Sequence, residues 1–129
     1  MSQTVSSFLY SKEHEWVEII KGNLVKIGIT NFAQNQLGDI VFVELPQEGE
    51  EITANESMGT VESVKAVSEI FSPVSGKVTQ MNGDLEDTPE IINSEPYGQG
   101  WMVTVELNNP DELKELMTAE QYSAFVEEE

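Results

Sequence analysis

Short runs of apolar and β-branched residues, separated by turn residues, dominate the chain. Residues 17–29 predict two strands joined at Lys21-Gly22-Asn23, because Gly-Asn favours the positive φ angles of a tight turn. Further strands are predicted at 40–45, around Ile52, and at 58–64, 67–71, 76–81 and 101–107. Many short strands at this close spacing predict a mainly β fold, a barrel-like sandwich of two small antiparallel sheets.

Two segments have the apolar spacing of helices instead. A short helix is predicted at 30–37, with Thr30 as its N-cap and Gly38 at its C-terminal end. A C-terminal helical segment is predicted at 110–127, with one helix capped by Asn109, a second one starting at Thr118, and apolar residues sharing one face. No linker interrupts the sequence, so we expect residues 1–129 to form a single domain.

The charge of the chain is strongly one-sided. The sequence has 24 acidic residues against 6 lysines and no arginine, which gives a net charge of −18. Such a surface repels phosphate backbones and anionic lipid headgroups, so we expect neither nucleic-acid nor membrane binding. The same charge favours partners with basic docking sites, although solubility explains it equally well.

Several kinds of chemistry are excluded by what the sequence lacks. Cysteine is absent, which excludes disulfides, thiolate nucleophiles and Cys-based metal sites. No metal site is predicted, because the carboxylates at 48, 50 and 51 lack the spacing of an EF-hand. The single histidine, His14, has no nucleophile beside it and is interpreted as structural.

The first residues resemble neither a signal peptide nor an Arg-rich transit peptide. We therefore expect a cytoplasmic protein, or a mitochondrial-matrix protein only if a transit peptide has been removed.

The segment 62–69 (ESVKAVSE) is nearly palindromic about the bond between Lys65 and Ala66. Folding the chain at this bond gives a two-residue β-hairpin with Lys65 at its tip. The predicted pairs are Val64 with Val67, Ser63 with Ser68, and Glu62 with Glu69. The turn lacks the Gly or Asn-Gly that hairpins favour, and the paired glutamates repel each other. Local stability is therefore not the only requirement on this turn.

A lysine at a rigid hairpin tip suits a carrier, because its amine can be acylated and its long stem extends the reach of the attached group. A tip lysine that is merely solvated has the same geometry, so the hairpin alone leaves both interpretations open.

The wider sequence decides between these two interpretations of Lys65. The segment 61–70 resembles the glycine cleavage H-protein family, as does the Ser72-Pro73-Val74-Ser75-Gly76 that follows it. The resemblance extends from about residue 8 to the end of the chain through several further blocks. These are Tyr10, Lys12-Glu13-His14-Glu15-Trp16, Gly28-Ile29-Thr30, Ala33-Gln34, Leu37-Gly38-Asp39, 41–46, Asn93-Ser94-Glu95-Pro96-Tyr97 and Gly100-Trp101-Met102.

The resemblance implies a lipoyl-domain-like barrel-sandwich hybrid, with (R)-lipoate in amide linkage to Lys65. It also implies a carrier rather than an enzyme. In this family the arm takes an aminomethyl group from the decarboxylating glycine dehydrogenase and delivers it to the aminomethyltransferase. Dihydrolipoamide dehydrogenase then reoxidises the arm, and lipoylating enzymes attach it. The chain itself is expected to be monomeric. The residues implied to surround the attachment site are Glu62, Ser63, Val64, Ala66 and Glu69.

In family members the loaded arm folds back into a surface cleft that protects the aminomethyl group. Glu15 and Glu69 match positions associated with this cleft, and a carboxylate there could hold the cationic end of the arm. The alternative interpretation is that both are ordinary surface carboxylates among the 24 acidic residues. Some family members have histidine where this chain has Phe32, so a titrating role at that position is not expected here.

Two other functional classes are considered. One is a different swinging-arm carrier, either a biotin carrier or the lipoyl domain of a 2-oxo-acid dehydrogenase. Biotin carriers typically have Met on both sides of the lysine, whereas Lys65 lies between Val64 and Ala66. Dehydrogenase lipoyl domains lack the block at 14–16 and the C-terminal helices. The other class is an acidic interaction module, including a relay that passes lipoyl groups to other proteins. A relay would use the same Lys65, so the sequence does not separate it from the glycine cleavage carrier.

Overall fold

The computed structural model describes residues 4–127, which form ten β-strands, four α-helices and one 3₁₀ helix. The strands are β1 (Leu9–Tyr10), β2 (Glu15–Lys21), β3 (Leu24–Ile29), β4 (Ile40–Glu44), β5 (Glu51–Ile52), β6 (Ser57–Ser63), β7 (Val67–Phe71), β8 (Gly76–Met81), β9 (Val103–Leu107) and β10 (Met117–Thr118). The helices are α1 (Asn31–Leu37), α2 (Asp84–Asp87), α3 (Ile91–Ser94) and α4 (Ala119–Glu127), with the 3₁₀ helix at Pro110–Glu115. Within this described part of the chain, no helix is long and apolar enough to cross a membrane.

The strands form two antiparallel sheets with one apolar core between them. The larger sheet has the order β10-β1-β2-β3-β9-β8-β5 and the smaller has the order β4-β6-β7. Val43, Val61 and Ile70 of the smaller sheet are buried in the same core as Ile27 and Val105 of the larger sheet. The larger sheet ends in the two-residue strands β10 and β5, which do not pair with each other, so it is not a closed barrel. The predicted mainly β sandwich is confirmed, although one of its sheets has seven strands and is not small.

Helix α1 connects the larger sheet to the smaller one and ends beside the site described below. Thr30 is its N-cap, and the Thr30 side chain accepts a hydrogen bond of 3.2 Å from the Ala33 N–H. Gly38 ends the helix with a φ of 80°, a region that favours glycine, and its N–H donates to the Gln34 carbonyl at 3.0 Å. Both predicted caps are confirmed.

The C-terminal region has the two predicted helical starts: Asn109 caps the 3₁₀ helix, and Thr118 exchanges hydrogen bonds with Gln121 at the start of α4. After the 3₁₀ helix, Leu116 has extended backbone angles (φ −89°, ψ 159°), so the helix cannot continue through it. Met117 and Thr118 then form β10, which pairs with β1, and α4 follows. A strand of two residues is too short to show a period of two, and for this reason the sequence pattern did not reveal β1 or β10.

An aromatic cluster covers the other face of the larger sheet. Trp16 and Val17 are neighbours in β2, so they point to opposite faces, and only Val17 belongs to the main core. Phe8 stacks on Trp16 with ring centroids 4.8 Å apart, and the Trp16 Nε1–H donates to the Pro96 carbonyl at 2.9 Å. Tyr122 of α4 belongs to the same cluster. The cluster therefore attaches α4 and the loop at Pro96 to the sheet.

We predict that Gly28→Ala destabilises the fold by overpacking this cluster. Gly28 pairs with Trp16 across β2 and β3, and a Cβ at residue 28 would lie 2.6 Å from Trp16 Cζ2. The indole would have to shift, so we expect the free energy of unfolding to fall by about 1–3 kcal/mol in urea titrations. Gly83→Ala is the matched control, because nothing lies within 4 Å of a Cβ there. Equal stability of the two variants would contradict this account of Gly28.

Candidate functional site

The hairpin of β6 and β7 has a different register from the predicted one. Glu62 lies opposite Val67, Val61 opposite Ser68 and Thr60 opposite Glu69. The predicted pairs were therefore wrong by two residues. A slip of two residues keeps every side chain on its face of the sheet, so the hydrophobic pattern alone could not tell the two registers apart. Because Glu69 faces Thr60, Glu62 and Glu69 are diagonal neighbours and not the directly opposed pair that was predicted.

The tip of the hairpin now contains Val64 and Lys65, closed by a hydrogen bond of 2.8 Å from the Ser63 N–H to the Ala66 carbonyl. Ser63 is buried, and its hydroxyl oxygen accepts hydrogen bonds from the Lys65 N–H (3.1 Å) and the Ala66 N–H (3.2 Å). The remaining tip amide, the Val64 N–H, donates to the Asp39 carbonyl at 3.0 Å. Each backbone N–H of the tip thus has a partner. The Ser63 side chain and Asp39 stabilise a turn that lacks glycine.

We predict that Ser63→Ala loosens the tip while the sheets stay folded. The substitution leaves two N–H groups without their acceptor, so we expect the free energy of unfolding to fall by about 1–2 kcal/mol. Amide hydrogen exchange should accelerate at Lys65 and Ala66 specifically. Ser57→Ala at the far end of β6 is the control, because the Ser57 hydroxyl donates to the Gly59 carbonyl and accepts no backbone N–H from residues 4–127. Unchanged exchange at Lys65 in the Ser63 variant would refute the role assigned to this hydroxyl.

Lys65 is exposed, and its stem lies across the backbone of Gly38. A Cβ at residue 38 would be 3.3 Å from Lys65 Cε, which is tight, and 3.6 Å from Cδ, which is ordinary contact. Glycine at this position adopts the positive φ that ends α1, and the lysine stem lies directly against its backbone. The sequence pattern predicted the helix end and gave no signal of the contact with Lys65.

The outer face of the smaller sheet presents apolar and acidic side chains next to the tip. Phe42, Glu62 and Val67 are consecutive cross-strand neighbours, so they lie side by side on this face. Phe42 is 53% exposed and Val67 is 67% exposed, as is Val64 at the tip. Large apolar side chains that remain this exposed beside one another often mark an interaction surface.

A cavity of about 460 Å³ lies at the other end of β7, between the β1–β2 loop and the 3₁₀ helix. Its lining includes Glu15, Ser11, Phe71, Pro73 and Glu112. Glu15 is only 2% exposed. The Ser11 hydroxyl donates to Glu15 Oε1 at 2.6 Å, and the Phe71 N–H donates to Oε2 at 3.3 Å. This carboxyl group therefore joins the β1–β2 loop to the last residue of β7.

Burial raises the pKa of Glu15 to about 8 from its ordinary value of 4.5. The hydrogen bonds from Ser11 and Phe71 oppose this rise, and the nearby charge of Glu13 adds to it. Near neutral pH the carboxyl group is thus largely protonated. Its pKa is close enough to neutrality for an incoming cation to change its protonation state.

The predicted site residues are only partly brought together. Glu62, Ser63, Val64 and Ala66 surround Lys65, whereas Glu15 lines the cavity beyond the far end of β7. Glu69 shares a face of β7 with Phe71, since the two are separated by one residue, and is therefore on the same side as this part of the cavity lining. Phe32 is not part of the lining; its ring packs against His14 with centroids 4.7 Å apart.

His14 has a structural environment, in agreement with its interpretation from the sequence. The His14 Nδ1 lies 2.7 Å from the Tyr122 hydroxyl, which is also 2.7 Å from Thr30 Oγ1. The His14 backbone has a φ of 72°, unusual for a residue other than glycine. This network connects α4 to the start of α1 and fixes the chain immediately before Glu15.

Two antiparallel sheets that present a lysine at the tip of a hairpin make up a lipoyl-domain-like fold. The sequence model of the family described as glycine cleavage H-protein matches residues 8–129. A glycine cleavage system H protein of Oceanobacillus iheyensis is 57% identical over 120 residues, covering 93% of this chain and 94% of the relative. One from Halalkalibacterium halodurans is 51% identical over 129 residues, covering all of both chains.

A solved structure gives the same result. The crystal structure of a glycine cleavage system H protein from Mycobacterium marinum has a TM-score of 0.86 and 39% sequence identity. The match covers 94% of this chain and 97% of that one. The chain belongs to the glycine cleavage H-protein family.

Proposed function

We propose that this chain is the lipoyl carrier protein of the glycine cleavage system, with lipoate attached through an amide bond to Lys65. The observation that carries the proposal is the combination of an exposed lysine with a tip whose backbone N–H groups all have partners. A rigid tip holds the attachment point in one place, while the side chain remains accessible to modifying and partner enzymes. The chain acts as a carrier component and not as an enzyme.

The residues around Lys65 fit the attachment of an acyl group. The Lys65 amine belongs to the exposed tip of the hairpin. The stem of the lysine side chain lies against the Gly38 backbone on one side. The bound lipoyl group would supply a disulfide that is reduced as it accepts a one-carbon unit and is later reoxidised. The protein's own contribution is to tether that group, because a tethered group meets each partner at a high effective concentration.

The cavity at Glu15 is the place that we propose for the cationic end of the loaded arm. Strand β7 separates the tip from the cavity and covers about 13 Å from Val67 to Phe71 at about 3.3 Å per residue, so the arm has to run along most of this strand. Glu69 lies beside this route. A cationic amine entering the cavity would lower the Glu15 pKa from about 8 and leave a carboxylate paired with a cation, shielded from water.

We propose that the partners are the decarboxylating glycine dehydrogenase, the aminomethyltransferase, dihydrolipoamide dehydrogenase and the lipoylating enzymes, all in the cytoplasm. Each of them has to approach Lys65, so the adjacent surface of Phe42, Val64 and Val67 would contact them. The net charge of −18 favours partners with basic residues around their active-site openings. The chain itself would act as a monomer.

The test is reconstitution of glycine cleavage with the purified partner enzymes. Lipoylated wild-type protein should support glycine-dependent release of carbon dioxide and reduction of NAD, whereas unlipoylated protein should support neither. A lipoylated protein that is inactive with all partners present, but that donates its lipoyl group to a 2-oxo-acid dehydrogenase domain, would identify a relay and contradict the proposal.

A further inference from the structure

Asn93 of α3 holds both ends of the loop that runs from α1 into β4. Its Oδ1 accepts a hydrogen bond from the Ile40 N–H at 2.8 Å, and its Nδ2 donates to the Gly38 carbonyl at 2.9 Å. The same Nδ2 donates to Gln34 Oε1 at 2.9 Å, which connects the amide to α1. One partly buried side chain therefore fixes residues 38–40 relative to α1 and α3.

These residues form the support under the Lys65 hairpin. The Asp39 carbonyl accepts the Val64 N–H at 3.0 Å, and the lysine stem lies across Gly38. Contacts thus run without a break from Asn93 through the loop to the hairpin tip. Gly38 makes the loop sensitive to this support, because a glycine has many accessible backbone conformations once its hydrogen bonds are lost.

We infer that Asn93 is a positioning residue for Lys65, 28 positions away in the sequence. Its amide sets the place of the tip by holding the loop on which the tip rests. This inference deepens the proposed function and rests on it: correct placement of the amine is what a lipoylating enzyme requires, since acyl transfer depends on the geometry of the attacking atom.

The test compares Asn93→Asp with the matched variant Asn82→Asp. Asn82 also donates two hydrogen bonds from Nδ2, to the carbonyls of Gln99 (2.9 Å) and Trp101 (2.7 Å). Its Oδ1 accepts the Asp84 N–H at 3.2 Å. Both variants lose the same kind of contact, but only Asn93 bonds to the loop under the hairpin. If Asn93→Asp does not fold, Asn93→Ser serves in its place, with the same expected direction.

The first readout is lipoylation of the full-length chain by a lipoate–protein ligase with lipoate and ATP, followed by mass spectrometry. We expect kcat/KM to fall about tenfold for Asn93→Asp, because a displacement of about 1 Å can cost about a hundredfold in rate. Asn82→Asp should stay within about twofold of the wild type, because its site is independent of the hairpin. Melting temperatures should fall similarly in both variants.

The second readout is amide hydrogen exchange at Val64, which should accelerate in Asn93→Asp and not in Asn82→Asp. Wild-type lipoylation and exchange in Asn93→Asp would overturn the inference, as would equal effects of the two variants. If the wild type itself is not modified at Lys65, the proposed function fails. In that case, amide hydrogen exchange at Val64 in the two variants still tests whether Asn93 positions the hairpin tip.

Discussion

Lys65→Ala is expected to abolish lipoylation and glycine cleavage without unfolding the protein. Lys65 supplies the proposed attachment atom, and no other lysine lies at the tip of this hairpin. The side chain is exposed, and the tip is held by backbone bonds and by Ser63, all of which survive the substitution. We therefore expect the free energy of unfolding to change by less than about 0.5 kcal/mol.

The measurement pairs the reconstituted reaction with urea unfolding of the same preparation. Lys77→Ala is the control, because it removes another exposed lysine, one that lies on β8 and outside the hairpin. The control should keep its activity. Residual glycine cleavage by Lys65→Ala would contradict the assignment of the attachment site, and loss of its unfolding transition would show that Lys65 is required for folding.

Glu15→Gln is expected to make the protein more stable than the wild type in alkaline solution. The folded-state pKa of Glu15 is raised by burial, from 4.5 to about 8. For such a group, the contribution to stability is fully present below about pH 4.5 and is lost as the pH rises through about 8. Between these values the wild type should lose up to about 1.4 kcal/mol per pH unit relative to the glutamine variant.

Unfolding free energies at pH 5, 7 and 9 measure this difference. The glutamine side chain keeps the shape of Glu15 and can still accept the Phe71 N–H, so the two proteins should be of similar stability at pH 5. Glu106→Gln, on the exposed part of β9, corrects for the general effect of removing one negative charge. A constant difference between Glu15→Gln and the wild type at all three values would contradict the raised pKa.

The same variant tests the role proposed for the cavity. Without a carboxylate to pair with a cationic amine, we expect the loaded arm to lose its aminomethyl group to water faster in Glu15→Gln than in the wild type. The rate can be followed as formaldehyde release from the loaded protein near neutral pH. An unchanged rate would eliminate Glu15 as a holder of the arm while leaving the attachment site unaffected.

Local features of the fold could be predicted from the sequence because their causes are local. The strands are short apolar and β-branched runs bounded by turn residues, Gly22-Asn23 supplies a tight turn, and Thr30 with Gly38 marks the two ends of α1. The position of Lys65 at a hairpin tip was also predictable. Both registers of the nearly palindromic segment place it there.

The register itself was not predictable from alternation. The two pairings differ by two residues and bury the same face, so the hydrogen bonds of the tip decide between them. Ser63 favours the observed one, because only in that register can its hydroxyl accept the Lys65 and Ala66 N–H groups of a four-residue tip. Asp39 adds the bond to Val64 from a distant part of the chain.

The environment of Glu15 depends on long-range contacts that no local pattern reports. Among 24 acidic residues, an exposed carboxylate was the alternative interpretation of Glu15. In the structure Glu15 is buried, and its carboxyl group accepts a hydrogen bond from Phe71, which is 56 positions away. The support of the hairpin by Asn93 was not predictable from the sequence either. The contact between Asn93 and Gly38 is also long-range and forms only in the folded chain.

The most direct test of the central claim is the mass of the protein isolated from its native cells. Intact-mass spectrometry with peptide mapping should show a lipoyl-sized increase on the peptide that contains Lys65, absent from a Lys65→Arg variant expressed in the same cells. An unmodified Lys65 in cells that lipoylate their other carrier proteins would contradict the claim, and a biotin-sized increase would assign the chain to a different class of carrier.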